Sequence, residues 1–153
     1  MTNVVDMFTA KVQPLLETAK TACENFNAQK AVFISPFEQS GITGPAFKKL
    51  YRAIRDYIKK RRTLRSILEA FPSVSRKRIQ EFVQIVKDEK GLLDLKDTYI
   101  DAFLAVTRES TKWYDLYKDS ATQKSEKDKL DKVYAQIQEQ LICLDADSRV
   151  GLG

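Results

Sequence analysis

Apolar residues recur three and four positions apart along most of the chain. Between Asn3 and Asn27 this spacing produces one stripe, formed by Val5, Phe8, Val12, Leu15, Ala19, Ala22 and Phe26. The spacing follows the 3.6-residue period of an α-helix and gives that helix one face to bury. Comparable stripes occur in the middle and in the last third of the sequence. The pattern therefore predicts an all-α protein.

Histidine is absent from the 153 residues, and the two cysteines, Cys23 and Cys143, lie far apart in sequence. A structural zinc site needs four Cys or His ligands, so this chain cannot build one alone. Catalysis by a Ser-His-Asp or a Cys-His system is excluded as well, because both use imidazole. We therefore expect a protein that is not an enzyme and that has no metal site and no cofactor.

The remaining composition, with 43% apolar and 31% charged residues, is that of an ordinary soluble protein. Its length suits one domain, or one domain with an appendage. The start of the chain lacks the basic and apolar regions of a secretion signal, and no apolar run approaches the roughly 18 residues that span a membrane. We expect a cytoplasmic protein with reduced cysteines and no membrane partner.

The first region, residues 1–44, combines the stripe described above with a stretch that has no helical period. Pro14 interrupts the stripe, and because proline removes a backbone donor we expect either two helices or one kinked helix. From Ala28 to Gly44 the period is lost, and Pro36 and Gly41 punctuate the sequence. We predict a loop there, with room for a short extended piece, that packs its apolar side chains onto the domain.

The second region, residues 45–91, carries three shorter helical patterns. Pro45 suits the first turn of a helix, where a missing N–H costs little. A second pattern covers Thr63–Phe71. Ser75 is a suitable N-cap for the third helix, and Gly91 is expected to end it.

The third region, residues 92–144, contains two long helical patterns separated by a polar break at Asp119–Lys124. Because the break is short, we expect the two helices to form an antiparallel α-hairpin. Ser125 and Asp128 resemble a capping box at the start of its second helix. The last region, residues 145–153, is predicted to be a flexible tail.

Positive charge is concentrated in the middle of the chain. The segment from Lys48 to Arg78 has 12 basic and 2 acidic residues, a net charge of +10, whereas the rest of the chain has 14 basic and 19 acidic residues, a net charge of −5. Such a separation of charge indicates a surface that meets a polyanion.

The stretch from Ile67 to Val83 joins two short apolar stripes through a turn. Val74 is an apolar turn residue, Ser75 can cap the second helix, and Ile79 and Phe82 are spaced to face inward. This stretch resembles the helix-turn-helix of phage, plasmid and bacterial DNA-binding proteins. The resemblance implies that the second helix enters the major groove of double-stranded DNA with its N-terminal end.

The resemblance also implies which side chains would contact the DNA. At the exposed end of the second helix, the candidates for contacts to bases or phosphates are Arg76, Lys77, Arg78 and Gln80. Basic residues at helical spacing in the preceding helix, and those that follow it, would neutralise phosphates. They are Lys48, Lys49, Arg52, Arg55, Lys59, Lys60, Arg61, Arg62 and Arg65.

The α-hairpin extends beyond what a compact helix-turn-helix needs. Its apolar seam could pack on the N-terminal helices or on another subunit. We favour a homo-oligomer through the C-terminal hairpin, because DNA-reading proteins commonly use symmetry to enlarge their contact with the duplex. The tail is a candidate contact for a protein partner. In architecture the chain is similar to the small DNA-recognition subunits of phage packaging terminases, and small phage or plasmid regulators fit equally well.

The sequence is therefore compatible with two classes of function. The leading hypothesis is a non-enzymatic DNA-binding protein that uses a helix-turn-helix with a basic supporting helix. The alternative is a helical structural or interaction protein, such as a virion component or an adaptor. Its basic segment would bind an acidic partner or nucleic acid without reading sequence.

Overall fold

The computed structural model describes residues 3–149, and in that range the chain forms six α-helices. They are α1 (Val4–Gln39), α2 (Gly44–Ile58), α3 (Leu64–Ala70), α4 (Arg76–Lys87), α5 (Lys90–Lys118) and α6 (Lys124–Ser148). The described residues contain no strand, which confirms the prediction of an all-α fold. Between residues 3 and 149 no helix is both long enough and apolar enough to cross a membrane.

The chain divides into two compact units. The first, here called the bundle unit, consists of residues 3–27 and 95–149. The second, here called the basic unit, consists of residues 28–94. The first part of α1 thus belongs with the C-terminal helices, and the rest of α1 belongs with α2, α3 and α4.

The bundle unit is a bundle of three helices, in which α5 lies antiparallel to α1. Phe26 of α1 stacks on Tyr99 of α5, with 6.3 Å between the ring centroids. Near the other end of both helices, the ammonium group of Lys11 lies 4.8 Å from the ring centroid of Trp113. The start of α1 therefore contacts the end of α5, and the later part of α1 contacts the start of α5.

The third helix of the bundle, α6, is antiparallel to α5. The Tyr114 hydroxyl donates a hydrogen bond to Asp131 over 2.5 Å, and the Gln138 amide donates to the Ser110 hydroxyl over 3.3 Å. The hydrogen bond to Asp131, together with burial, raises the pKa of Tyr114 to about 12. The later α5 residue thus pairs with the earlier α6 residue, which is the order expected for two antiparallel helices.

The seam of the C-terminal helices packs against α1 of the same chain. The core of the bundle unit contains one buried α5 residue, three buried α6 residues and five buried α1 residues: Val106, Leu130, Ile137, Leu141, Val4, Phe8, Val12, Leu16 and Ala19. Self-association through this part of the chain stays a prediction. It would have to use exposed side chains such as Ile100, Leu104 and Ile142 rather than the seam.

The prediction of a loop after residue 28 is wrong, because α1 continues without interruption to Gln39. Pro14 and Pro36 lie inside this one helix, where each removes a backbone hydrogen bond to the residue four positions earlier. Those residues, Ala10 and Val32, are exposed, so water can bond the carbonyls left free. Burial of apolar side chains further along the helix compensates for the lost bonds.

Gly41 marks the actual end of α1. Its φ of +76° places it in the left-handed region, which glycine adopts without steric cost. Its N–H donates to the carbonyl of Glu38 over 2.9 Å, and the N–H of Ile42 donates to the carbonyl of Phe37 over 2.9 Å. These two bonds form a Schellman motif, and both Ile42 and Phe37 are buried beside it.

The last turn of α1 places Phe37 at the centre of the basic unit. Its ring stacks on Phe82 of α4 with 4.2 Å between the centroids, and it meets Phe47 of α2 edge-on at 5.0 Å. Phe33 joins the same group at 6.3 Å from Phe37. Three helices of the basic unit are therefore joined through one fully buried ring.

Several boundaries predicted from the sequence agree with the structure. Pro45 lies in the first turn of α2, and the Ser75 hydroxyl accepts the N–H of Arg78 as the cap of α4. The predicted helix over Thr63–Phe71 corresponds to α3, which Thr63 caps by accepting the N–H of Ser66.

Three other boundary predictions are wrong. Gly91 does not end α4, since that helix stops at Lys87 and Gly91 lies in the first turn of α5. Ser125 does not begin a capping box, because α6 already starts at Lys124. Helix α6 runs to Ser148, so the beginning of the predicted tail is helical, and residues 150–153 lie outside the described part of the chain.

We expect Phe37→Ala to destabilise the basic unit by about 3–5 kcal/mol, because it removes a fully buried aromatic ring. Urea unfolding followed by far-UV circular dichroism measures this loss. The matched control is Val32→Ala on the same part of α1, whose side chain is 65% exposed and which should change stability by less than about 0.5 kcal/mol. Equal effects of the two substitutions would contradict the helical packing of residues 28–39.

Candidate nucleic-acid interface

The two units differ in charge. The basic unit has 15 basic and 7 acidic residues, a net charge of +8, whereas the rest of the chain has 11 basic and 14 acidic residues, a net charge of −3. The concentration of positive charge predicted from the sequence thus coincides with one compact unit. A surface of this charge attracts polyanions over a Debye length of about 8–10 Å at physiological salt.

Helix α2 separates its apolar and basic residues onto opposite faces. Its buried residues are Phe47, Leu50, Ala53 and Ile54. Three cations on its outer side, Lys48, Lys49 and Arg52, are exposed. None of these three makes an ion pair with a carboxylate among residues 3–149. Their charge is therefore available to an external anion.

The cations that follow α2 form a second exposed group. Lys59, Lys60, Arg61 and Arg62 occupy the turn between α2 and α3 and are all exposed. Lys60 has a φ of +63°, which is rare for a residue with a side chain. Its N–H donates to the carbonyl of Tyr57, and the N–H of Arg61 donates to that of Asp56. This is a second Schellman motif, with lysine at the position where glycine is preferred.

Arg55 differs from the other α2 cations, because it is bound within the protein. Its guanidinium lies 3.5 Å from the carboxylate of Glu89, and its side chain covers the ring of Tyr51. The Tyr51 hydroxyl donates to the same carboxylate. Burial and this hydrogen bond raise the pKa of Tyr51 above its usual range. The three side chains fasten α2 to the segment between α4 and α5.

Helices α3 and α4 follow each other across a short turn, as the sequence predicts. Both are capped by a hydroxyl, and the N–H of Val74 donates to the carbonyl of Phe71 inside the turn. On α4 the side facing the core consists of Ile79, Phe82, Val83 and Val86, all buried. This arrangement leaves the opposite side of α4 in solvent.

The first turn of α4 carries three exposed cations and no acidic residue. Arg76 and Lys77 make no ion pair within the described chain, whereas Arg78 is held by Glu81 at 2.9 Å. The N-terminus of a helix already carries positive partial charge, so cations there repel it. An anion is therefore electrostatically favoured at this end of α4.

The predicted site residues fall into two groups. Three of them form an ion pair with a carboxylate of the same chain: Arg55 with Glu89, and, at the surface, Arg65 with Glu69 at 2.9 Å and Arg78 with Glu81. The others are exposed and make no ion pair among residues 3–149: Lys48, Lys49, Arg52, Lys59, Lys60, Arg61, Arg62, Arg76, Lys77 and, as an uncharged amide, Gln80. All of them belong to the basic unit.

Two residues of the exposed side of α4 were missed from the sequence. Gln84 and Lys87 are both exposed and lie on the side of the helix that carries Arg76 and Gln80. Positions 76, 80, 84 and 87 are separated by four, four and three residues, which is one face of a helix. Extending the spacing beyond the first turn would have found them.

The bundle unit offers a cavity of about 420 Å³ between α1 and α5. Glu17 is the single ionisable group in its lining, which otherwise consists of Thr18, Thr21, Ala22, Asn25, Leu95 and Thr98. Across residues 3–149, no group of three or more Cys, Asp or Glu side chains is arranged to hold a metal ion.

Comparison with family models, with curated proteins and with solved structures finds no match to this chain.

We expect Lys60→Gly to stabilise the basic unit by about 1 kcal/mol, because glycine adopts a positive φ without the steric cost that a side chain incurs. Thermal or urea unfolding measures the change. Lys59→Gly removes the same charge one residue earlier, at a φ of −83°, and should not stabilise the protein. A gain of the same size in both variants would mean that charge repulsion, rather than the backbone of Lys60, is responsible.

Proposed function

We propose that this chain is a non-enzymatic protein that binds double-stranded DNA through its basic unit. The observation that carries the proposal is the first turn of α4, where exposed, unpaired Arg76 and Lys77 add to the positive end of the helix. A phosphate group suits the positive end of the helix and the ammonium group of Lys77, and Arg76 is left exposed beside it. An α-helix also fits the major groove, which is about 12 Å wide.

The exposed face of α2 supports the same proposal. Its apolar side is buried and α2 packs against α3 and α4, so its free cations belong to the same compact unit as the end of α4. In the proposed complex α4 enters the major groove, and Lys48, Lys49 and Arg52 contact the phosphate backbone. The cations of the following turn extend these contacts. Backbone contacts of this kind position a protein on DNA and carry no sequence information.

The order of two capped helices around a short turn is the basis for proposing a helix-turn-helix module. With it we propose the broader class, a phage or plasmid regulator or a DNA-recognition protein of the packaging type. The paired states of Arg55, Arg65 and Arg78 restrict the proposed contacts to the remaining cations.

The combined substitution Lys48→Ala, Lys49→Ala and Arg52→Ala tests the α2 contacts. Each lost phosphate contact should reduce the magnitude of the slope of log affinity against log salt by about 0.9. The slope of the triple variant should therefore be smaller in magnitude by up to about 2.7. Fluorescence anisotropy with a labelled duplex over a salt series measures the slope.

The matched control removes three exposed lysines of the bundle unit, Lys124, Lys127 and Lys129, each to alanine. Because both variants lose three positive charges, only the α2 variant should change the slope by the expected amount. Equal slopes for the two variants would contradict the proposed interface. Wild-type affinity for a polyglutamate chain equal to that for duplex DNA, at matched salt, would favour the acidic-partner alternative.

Glu81→Gln should raise affinity for duplex DNA, because it releases the guanidinium of Arg78 from its ion pair. One additional phosphate contact by Arg78 would steepen the salt slope by about 0.9. The same anisotropy series measures this. Glu139→Gln, an exposed carboxylate of α6, is the control with the same change in net charge and should leave the slope unchanged.

A further inference from the structure

The exposed face of α4 continues beyond the cations of its first turn. Arg76, Gln80 and Gln84 follow one another at intervals of four residues, and Lys87 lies one turn further. The buried residues of the helix, Ile79, Phe82, Val83 and Val86, hold it against the core. The face therefore has a cation at each end and two amides between them.

The two amides are free to bind an external group. Neither Gln80 nor Gln84 makes a side-chain hydrogen bond within residues 3–149. Three other glutamine side chains of this protein do: Gln13 donates to Glu17, Gln39 to Ser35, and Gln138 to Ser110. A glutamine amide offers both a donor and an acceptor to such a group.

The nearby carboxylate does not oppose this use of the face. Glu81 lies next to Gln80 in sequence, but the guanidinium of Arg78 binds its oxygen at 2.9 Å. The negative charge that would repel DNA is thereby balanced within α4. Arg78 is therefore a residue that shields Glu81, and Arg76 is the free guanidinium of the helix.

The chemistry of these side chains matches the edges of particular bases. A glutamine amide can bond adenine through N6 and N7 together, and an arginine can bond guanine through O6 and N7. Four residues of α-helix rise about 6 Å, which is close to the length of two base-pair steps of about 3.4 Å each. Adjacent members of the face can thus reach bases about two steps apart.

We propose that Gln80 and Gln84 give α4 its sequence specificity by binding adenine edges in the major groove, with Arg76 binding guanine. This inference rests on the proposed DNA-binding function and adds to it the class of site that is bound. The preferred site contains two adenines, about two base pairs apart, near a guanine. The α2 cations supply affinity that is the same for every sequence.

The test is selection from a pool of random-sequence duplexes, with wild type, Gln80→Ala, Gln84→Ala and Gln84→Glu. Wild type should enrich A·T pairs at two positions, and each alanine variant should lose the preference at one of them. Gln84→Glu should change one preference from adenine to cytosine, because a carboxylate accepts from the cytosine amino group.

Affinity measurements make the test quantitative. Each alanine substitution should weaken binding to the selected site by about 5- to 150-fold, the range expected for one bidentate contact to a base. Binding to a random duplex should change by less than about twofold, because no phosphate contact is lost. Gln136→Ala, at an exposed glutamine of α6, is the control and should change neither affinity.

The outcomes separate this inference from the proposed function. If wild type binds duplex DNA but enriches no sequence, or if the alanine variants keep the wild-type preference, the assignment of Gln80 and Gln84 is overturned and DNA binding stands. If wild type fails to bind any duplex at low salt, the proposed function is overturned as well. Circular dichroism of each variant ensures that the comparison is made between folded proteins.

Discussion

Phe37 is the side chain on which the basic unit depends. Its ring contacts α4 through Phe82 and α2 through Phe47, at centroid distances of 4.2 and 5.0 Å. Aromatic pairs of this kind contribute about 0.5–1.5 kcal/mol each beyond the area they bury. The Schellman motif at Gly41 fixes the turn directly after it. The proposed interface thus lies on helices whose inner faces share one aromatic group.

Local signals in the sequence were sufficient to predict much of the secondary structure of this unit. The all-α fold, the start of α2 near Pro45 and the caps at Thr63 and Ser75 all follow from residues within one or two turns of each feature. The second half of α1 could not be predicted in this way. Pro36 and the lost period indicate a break, and the burial of Phe37 that outweighs them depends on residues up to 45 positions away. Gly91 was also misassigned, because it lies in the first turn of α5 rather than at the end of α4.

In the candidate site, too, features set by neighbouring residues could be predicted, and features set by distant residues could not. The exposed cations of α2 follow from the helical period, and the sequence predicts them correctly as an outer face. The ion pairs of Arg65 and Arg78 lie within one helical turn and were open to prediction. The ion pair of Arg55 with Glu89 could not be predicted from the sequence, because it joins residues 34 positions apart and depends on how α2 packs. The helix-turn-helix resemblance marks only the N-terminal end of α4, so it does not point to Gln84.

The position of the single tryptophan has a practical consequence. Trp113 belongs to the bundle unit, where it stacks on Tyr117 with 5.5 Å between the ring centroids. Fluorescence excited selectively in tryptophan therefore observes the bundle unit alone, and the basic unit is silent in that signal. Far-UV circular dichroism sums the helices of both units. A change seen in circular dichroism but not in tryptophan fluorescence can thus be assigned to the basic unit, without a label.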